Sequence, residues 1–347
     1  MKKVLVAMSG GVDSSAAALL LRRQGFDCAG AILRLRDGCG QDEEDARSTA
    51  ERLQMPFFVF DEREAFRRAV MDDFVAEYGA GRTPNPCLVC NRCLKFGVFL
   101  DRALALGFDA IATGHYARVA CDEAGRYRLL RGRDRGKDQS YVLYQLTQRE
   151  LSRLLLPVGE YGKESIRAAA AEAGLANAQR PDSQDICFIP DGDYVRFLRE
   201  YGGMTLTPGD FVSPDGRVLG RHRGLACYTT GQRKGLGVSA DRPLYVLGKD
   251  AERNAVILGD EAELYAPGLL ASRVNWIAGT PSSAVRATAK TRYSQKECGA
   301  TVEPLPSGGA RVRFDEPQRA VTAGQAVVFY DGEPVLGGGT IEGVLEE

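Results

Sequence analysis

The chain has 347 residues, enough for more than one domain, and its 44% apolar and 26% charged content is that of an ordinary globular protein. It contains no apolar run of about 18 residues and no apolar signal segment, so we expect a cytoplasmic chain without a membrane span. A net charge of −1 argues for no nucleic-acid partner by itself, and two histidines, His115 and His222, exclude a multi-histidine metal site within one chain.

The first 115 residues alternate strand-like and helix-like runs. Lys3–Met8 reads as a strand and Ser14–Gln24 as a helix stopped by Gly25. Cys28–Leu35 is the next strand, Glu43–Leu53 a helix, Pro56–Phe60 a strand and Glu62–Tyr78 a long helix. Residues 83–96 carry Pro84 and Pro86 and are expected to be an extended, non-helical loop. Leu94–Leu106 is predicted helical and Ala110–Thr113 a strand. This series predicts an α/β domain with a mostly parallel, doubly wound, Rossmann-like sheet, with ligands bound beyond the carboxyl ends of the strands.

Further on, 116–131 reads as a basic hairpin, and Thr147 with Glu150 as a capping box opening a short helix. Ser165–Ala173 is predicted helical, and 177–192 a loop. From about Thr205, short β-like runs separated by Gly, Pro and Asp turns predict a small β-rich central domain and then a C-terminal β-barrel. Ala266-Pro-Gly268 is the expected seam, giving domains 1–204, 205–267 and 268–347.

Residues 9–15 (SGGVDSS) lie where the first strand turns into the first helix. A strand that turns through glycines into a helix N-terminus presents a concave row of N–H groups and partial positive charge, which suits a phosphate or pyrophosphate. Gly10 and Gly11 allow close backbone approach. Ser9, Ser14 and Ser15 offer hydroxyls, and Asp13 is expected to cap the helix or help hold Mg2+. The segment resembles the PP-loop of ATP pyrophosphatases and lacks the spacing of a Walker A loop.

Three basic runs raise the prospect of a phosphate-rich partner: seven Lys/Arg within Arg118–Lys137, five within Arg217–Lys234, and Arg286, Lys290, Arg292 and Lys296. Nine cysteines, an odd number, read as thiols, ligands or redox groups. Cys28, Cys121, Cys227 and Cys298 look like small apolar filler. Cys87, Cys90 and Cys93 form two CxxC steps in the proline-rich segment, and Cys187 lies in a polar loop. A four-thiolate zinc site, a three-cysteine iron–sulfur cluster and thiol chemistry with a resolving partner all remain open for them.

Taken in order, SGGVDSS (9–15), GRTPNPCLVCN (81–91), TGHYAR (113–118), KDQSYVLYQL (137–146), DSQDICFI (182–189), TTGQRKGLG (229–237) and AKTRYSQ (289–295) resemble the tRNA-specific 2-thiouridylases (MnmA) of the PP-loop superfamily. The resemblance implies ATP-dependent 2-thiolation of the wobble uridine (position 34), through an adenylated base and a cysteine persulfide, with release of AMP and pyrophosphate. It implies that Cys187 carries the persulfide and that Cys90 is the nucleophile able to pair with it as a disulfide. It implies ATP contacts from Ala7, Met8, Ser9, Gly10, Gly11, Val12, Asp13, Ser14, Leu33 and Gly114. Asn85, Pro86 and Cys87 would face the target base. His115, Lys137, Asp138, Gln139, Arg292, Tyr293 and Gln325 would contact tRNA, through anticodon stem-loops of the Lys, Glu and Gln type. A persulfide donor such as a cysteine desulfurase or relay protein is the implied second partner.

This chain departs from the family pattern at Cys87, where many members carry Asp, and at Cys93, which is often another residue. A thiol with a reference pKa of about 8.5 does not do a carboxylate's work at neutral pH. A [4Fe–4S] cluster on Cys87, Cys90 and Cys187 is therefore the rival to the persulfide route.

Overall fold

A computed structural model describes residues 2–181 and 186–345. The N-terminal unit begins with β1 (Lys3–Ala7), α1 (Val12–Arg23), β2 (Asp27–Arg34), α2 (Gly40–Arg52) and β3 (Phe57–Asp61). A long helix follows as α3 (Arg63–Phe66), a π-helical turn (Arg67–Met71) and α4 (Asp72–Gly79). Next come α5 (Pro86–Cys90), a second π-helical stretch (Asn91–Val98) and α6 (Phe99–Ala105), all one continuous helix, and then β4 (Ala110–Ala112). The hairpin β5 (Ala117–Cys121) and β6 (Tyr127–Arg131) precedes α7 (Gln148–Leu151), β7 (Leu154–Leu155) and α8 (Lys163–Glu172).

The strands form a five-stranded parallel sheet in the order β3-β2-β1-β4-β7. Alternation along β1 feeds both faces, as period-two geometry requires. Leu5 packs with Phe99, Leu100 and Ile111 on one side, while Val4 and Val6 pack with Ala17, Leu21 and Ala50 on the other.

One expectation fails here. The segment after Pro84 is not extended: α5 starts at Pro86. Proline at the first helical position gives up an N–H that the helix does not use, and its fixed φ suits the turn. The Asn85 side chain caps the helix by accepting from the Cys87 N–H at 3.2 Å. Leu88, Cys90 and Leu94 then face an apolar interior.

After α9 (Tyr194–Glu200), capped by Asp193, the chain becomes β-rich. The strands β8 (Gly209–Val212), β9 (Val218–His222), β10 (Tyr245–Asp250) and β11 (Ala255–Gly259) form a four-stranded sheet around Phe211, Tyr228 and Val256. The last six strands close a barrel in the order β12-β15-β14-β13-β16-β17: β12 (Tyr265–Trp276), β13 (Val285–Lys290), β14 (Cys298–Pro304), β15 (Ala310–Arg319), β16 (Ala326–Tyr330) and β17 (Val335–Val344). Ala266 to Gly268 lie inside β12.

The barrel shares a core with the N-terminal unit. Ile277, Val328, Tyr330 and Val335 pack in one cluster with Leu5, Phe99, Tyr141 and Tyr144. The Tyr141 hydroxyl donates to the Ala326 carbonyl at 2.8 Å, and Asn275 donates to the Tyr144 and Leu146 carbonyls at 2.7 and 3.0 Å. No helix among the described residues is long and apolar enough to cross a membrane.

Candidate active site

The β1–α1 turn is held from three sides. Gly10 has φ +75°, and a Cβ there would meet the Asp42 carbonyl at 2.5 Å, so α2 presses on the loop where only glycine fits. Asn177 donates to the Gly10 carbonyl and the Ser15 hydroxyl, both at 2.8 Å. Ser14 Oγ donates to the Gly11 carbonyl at 3.0 Å and accepts from the Ser9 N–H at 3.1 Å. Gly114 abuts the start of α1, where a Cβ would lie 2.6 Å from the Ser14 nitrogen. Met8 is buried against Gly30, and Leu33 packs partly buried on the sheet's core. The loop is therefore a preformed concavity at the carboxyl ends of β1 and β4, with Gly11 as the N-cap of α1.

Asp13 does not cap that helix, and its carboxylate is engaged by protein groups. Lys163 Nζ lies 2.8 Å from each of its carboxylate oxygens, and the Tyr116 hydroxyl donates to Oδ1 at 2.8 Å. Sequence reading missed Lys163, Asn177 and Arg180 because each is brought in from the region after β7. Arg180 spans Asp42 and Asp45 at 2.6 Å each.

Cys87, Cys90 and Cys93 lie on the helix that begins at Pro86. Cys90 is buried with Phe66, Val70 and Leu94, and Phe188 packs against the same cluster. Cys87 and Cys187 are exposed. Burial pushes the Cys90 thiol up to about 11, with Lys95 opposing and the Cys187, Cys87 and Cys93 thiols adding to the rise. Cys187 is also raised, first by the protein around its sulfur and then by Cys87, against Lys95 and Arg36. Cys39, to which the sequence assigned no part, contributes to the field at Cys187 and donates its S–H to the Arg36 carbonyl at 3.2 Å.

Burial lowers the His115 pKa to about 3, with the Lys95 charge acting in the same direction. His115 bonds Thr113 through Nδ1 at 2.8 Å, packs on Phe96 at 5.6 Å between ring centres, and follows Gly114 at the head of α1.

Cys90 is buried among apolar side chains while Cys87 and Cys187 are exposed, and among the described residues no group of three or more His, Cys, Asp or Glu is disposed to hold a metal ion. All nine cysteines are free thiols. Asp182 to Asp185 of the DSQDICFI motif lie outside the described residues.

Several residues expected to meet RNA have protein partners. The buried Asp138 carboxylate accepts from the Gly132 and Ser140 N–H groups at 2.9 and 3.1 Å. Gln139 pairs with the Tyr116 backbone at 2.8 and 2.9 Å. Arg292 donates to the Thr230 carbonyl, the Ala320 carbonyl and Thr322 Oγ1 at 3.0, 3.3 and 2.6 Å. Lys137 is exposed in a turn, and Tyr293, 43% exposed, sits edge-on to Tyr141.

The first basic run is also smaller than it reads: Arg118 and Arg131 are buried and pair with Glu333 and Glu297. Arg233 and Lys234 are exposed. A cavity of about 550 Å³ lined by Arg126, Gln148, Arg149 and Trp276 touches none of the thiols and none of the residues assigned to ATP or to individual tRNA contacts.

Comparison with known proteins agrees with this layout. The model of the tRNA methyl transferase HUP domain matches residues 2–191, that of the PRC-barrel domain 195–260, and that of the aminomethyltransferase β-barrel domain 266–341. The tRNA-specific 2-thiouridylase MnmA of Carboxydothermus hydrogenoformans is 50% identical over 98% of both chains. The chain belongs to the tRNA-specific 2-thiouridylase (MnmA) family.

A second MnmA, from Geotalea uraniireducens, is 49% identical over 98% of this chain and 95% of its own. The match to these MnmA proteins runs through all three structural units, so the barrel and the central sheet belong to the shared architecture. The solved U34-tRNA thiolase NcsA of Methanococcus maripaludis, with its [4Fe–4S] cluster, is similar at a TM-score of 0.35 and 14% identity over 58% of this chain and 67% of that one, too loosely to carry an argument.

Proposed function

We propose that this chain is an ATP-dependent tRNA-uridine 2-sulfurtransferase that thiolates the wobble uridine. The observation that carries the reading is a glycine loop at the carboxyl end of β1, bordered by Gly114, with Leu35 at the carboxyl end of the neighbouring β2 packed in one cluster with Cys90, Cys93 and Phe188. A uracil carbonyl oxygen is a poor leaving group. ATP bound at Ala7–Ser14 would let that oxygen attack the α-phosphorus, with pyrophosphate leaving toward the positive end of α1. Mg2+ would enter with the nucleotide, since Asp13 is engaged by Lys163 and Tyr116.

The exposed Cys187 suits loading by a sulfur-donor protein. The terminal persulfide sulfur then attacks carbon 2, and AMP departs. The Cys90 thiolate attacks Cys187 Sγ. The bond from Cys187 to the transferred sulfur breaks with its electron pair on that sulfur, giving 2-thiouridine and a Cys90–Cys187 disulfide that a thiol reductant reopens. Base access requires the uridine to leave the anticodon stack. Residues 1–204 would carry the chemistry, with 205–267 and 268–347 holding the anticodon arm in the cytoplasm.

Purified protein with ATP, a persulfide donor and tRNA bearing an unmodified wobble uridine is expected to yield 2-thiouridine by mass spectrometry. No product with wild type, or undiminished product with Cys187→Ala, overturns the reading.

A further inference from the structure

The barrel grips the active-site loop. Thr83, two residues before the Asn85 cap, donates its N–H to the Ala323 carbonyl at 3.0 Å, and Gln325 Nε2 donates to the Thr83 carbonyl at 2.7 Å. Both backbone groups of one loop residue are thus held by one turn of the barrel. Between them sits Gly324, at φ +88°, where a Cβ would meet Arg82 Cβ and the Thr83 nitrogen at 2.9 Å each. The turn is itself anchored: the Gly324 N–H donates to the Ile341 carbonyl at 2.9 Å, and the Ile341 N–H returns to the Gln325 carbonyl at 2.8 Å.

What lies beyond the grip is stiff. Pro84 and Pro86 restrict the backbone on either side of Asn85. Asn85 caps α5, and α5 carries Cys87 and Cys90. A shift of the turn is therefore passed to the thiols through few soft dihedrals.

We infer that Gln325 is a positioning residue: with Ala323 and Gly324 it makes the C-terminal barrel a clamp that sets where α5 presents Cys87 and Cys90 to the nucleotide loop. The inference rests on the proposed thiolation for its activity readout. It gives Gln325 a structural partner in place of an RNA contact. It also ties any RNA that docks on the barrel to the geometry of the thiols, through a contact between residues 242 apart in sequence.

The test uses full-length Gln325→Ala with two readouts. In single-turnover thiolation at saturating tRNA, the rate is expected to fall tenfold to about a hundredfold, the range for a displacement near 1 Å, while the tRNA Kd stays within about twofold of wild type, the scatter expected when no contact is lost. Hydrogen exchange without tRNA is expected to quicken in the peptide spanning 83–90, independently of any activity. A weaker tRNA Kd with an unchanged saturated rate overturns the inference in favour of an RNA contact. Unchanged exchange, or faster exchange with an unchanged rate, overturns it as well. Absence of thiolation by wild type would refute the proposed function while leaving the exchange result to judge the clamp.

Discussion

Lys163 places its ammonium 2.8 Å from both oxygens of Asp13, joining the start of α8 to the first turn of α1 at the phosphate loop. The lysine side chain is 10% exposed and the aspartate 31%, so the pair is partly shielded from water. Removing one member of a buried pair leaves the other charge uncompensated. Lys163→Met is expected to destabilise the protein by about 2 kcal/mol, less than for a fully buried pair because Asp13 keeps some solvent. Urea unfolding checks this, and ATP titration is expected to show weaker binding, since the local field at the loop becomes more negative.

Gly10→Ala introduces a left-handed alanine whose Cβ would collide with the Asp42 carbonyl at 2.5 Å. The backbone term alone is about 1 kcal/mol, and the contact with fixed backbone adds to it. Nucleotide affinity measured calorimetrically is expected to drop at least tenfold, because the row of N–H groups must shift to relieve the clash. Wild-type affinity in this variant would remove Gly10 from the site.

The thiols are expected to differ in reactivity. Cys87 and Cys187 are exposed, whereas Cys90 is buried and its pKa is pushed up to about 11. At neutral pH, iodoacetamide followed by peptide mass spectrometry is expected to label Cys87 and Cys187 well before Cys90. Because the folded pKa of Cys90 lies above the unfolded value of 9.0, its contribution to stability is complete below 9.0 and is lost as pH rises from there through about 11. Unfolding curves of wild type and Cys90→Ala are expected to respond differently to pH across that window.

His115 carries the opposite sign. Its folded pKa is lowered to about 3 from 6.5, so it is neutral in the native protein at physiological pH. Unfolding lets it take a proton below 6.5. Its contribution to stability is thus complete above 6.5 and declines as pH falls toward 3. Imidazole NMR is expected to show no titration of His115 between pH 5 and 8.

Exposed cations in the central unit, Arg233 and Lys234, are expected to supply part of the salt dependence of tRNA binding. Arg233→Glu together with Lys234→Glu is expected to weaken tRNA binding similarly for all tRNA sequences and to lower the salt slope by about two phosphate contacts. Arg118→Ala is expected to act through stability, since that side chain is buried and paired with Glu333.

Part of the local structure was legible in short patterns. The β1 and α1 runs on either side of 9–15 and the Thr147 capping box rest on patterns spanning a few residues, and the structure bears them out. The segment 83–96 was misread because two prolines suggest an extended chain, while the position of Pro86 after an Asn cap starts a helix. The basic runs were overread: linear counting cannot see Glu297 and Glu333, which arrive from the barrel to pair with Arg131 and Arg118.

The order of residues along the chain carried the α/β alternation, the phosphate loop, the paired cysteines and the family, since glycine freedom, capping and side-chain period all act between near neighbours. Folding alone decided that Lys163 meets Asp13 across 150 residues and that Gln325 meets Thr83 across 242. Such pairs arise when the barrel and sheet bury a common apolar core, and no short-range pattern specifies which polar atoms that packing brings within hydrogen-bond reach.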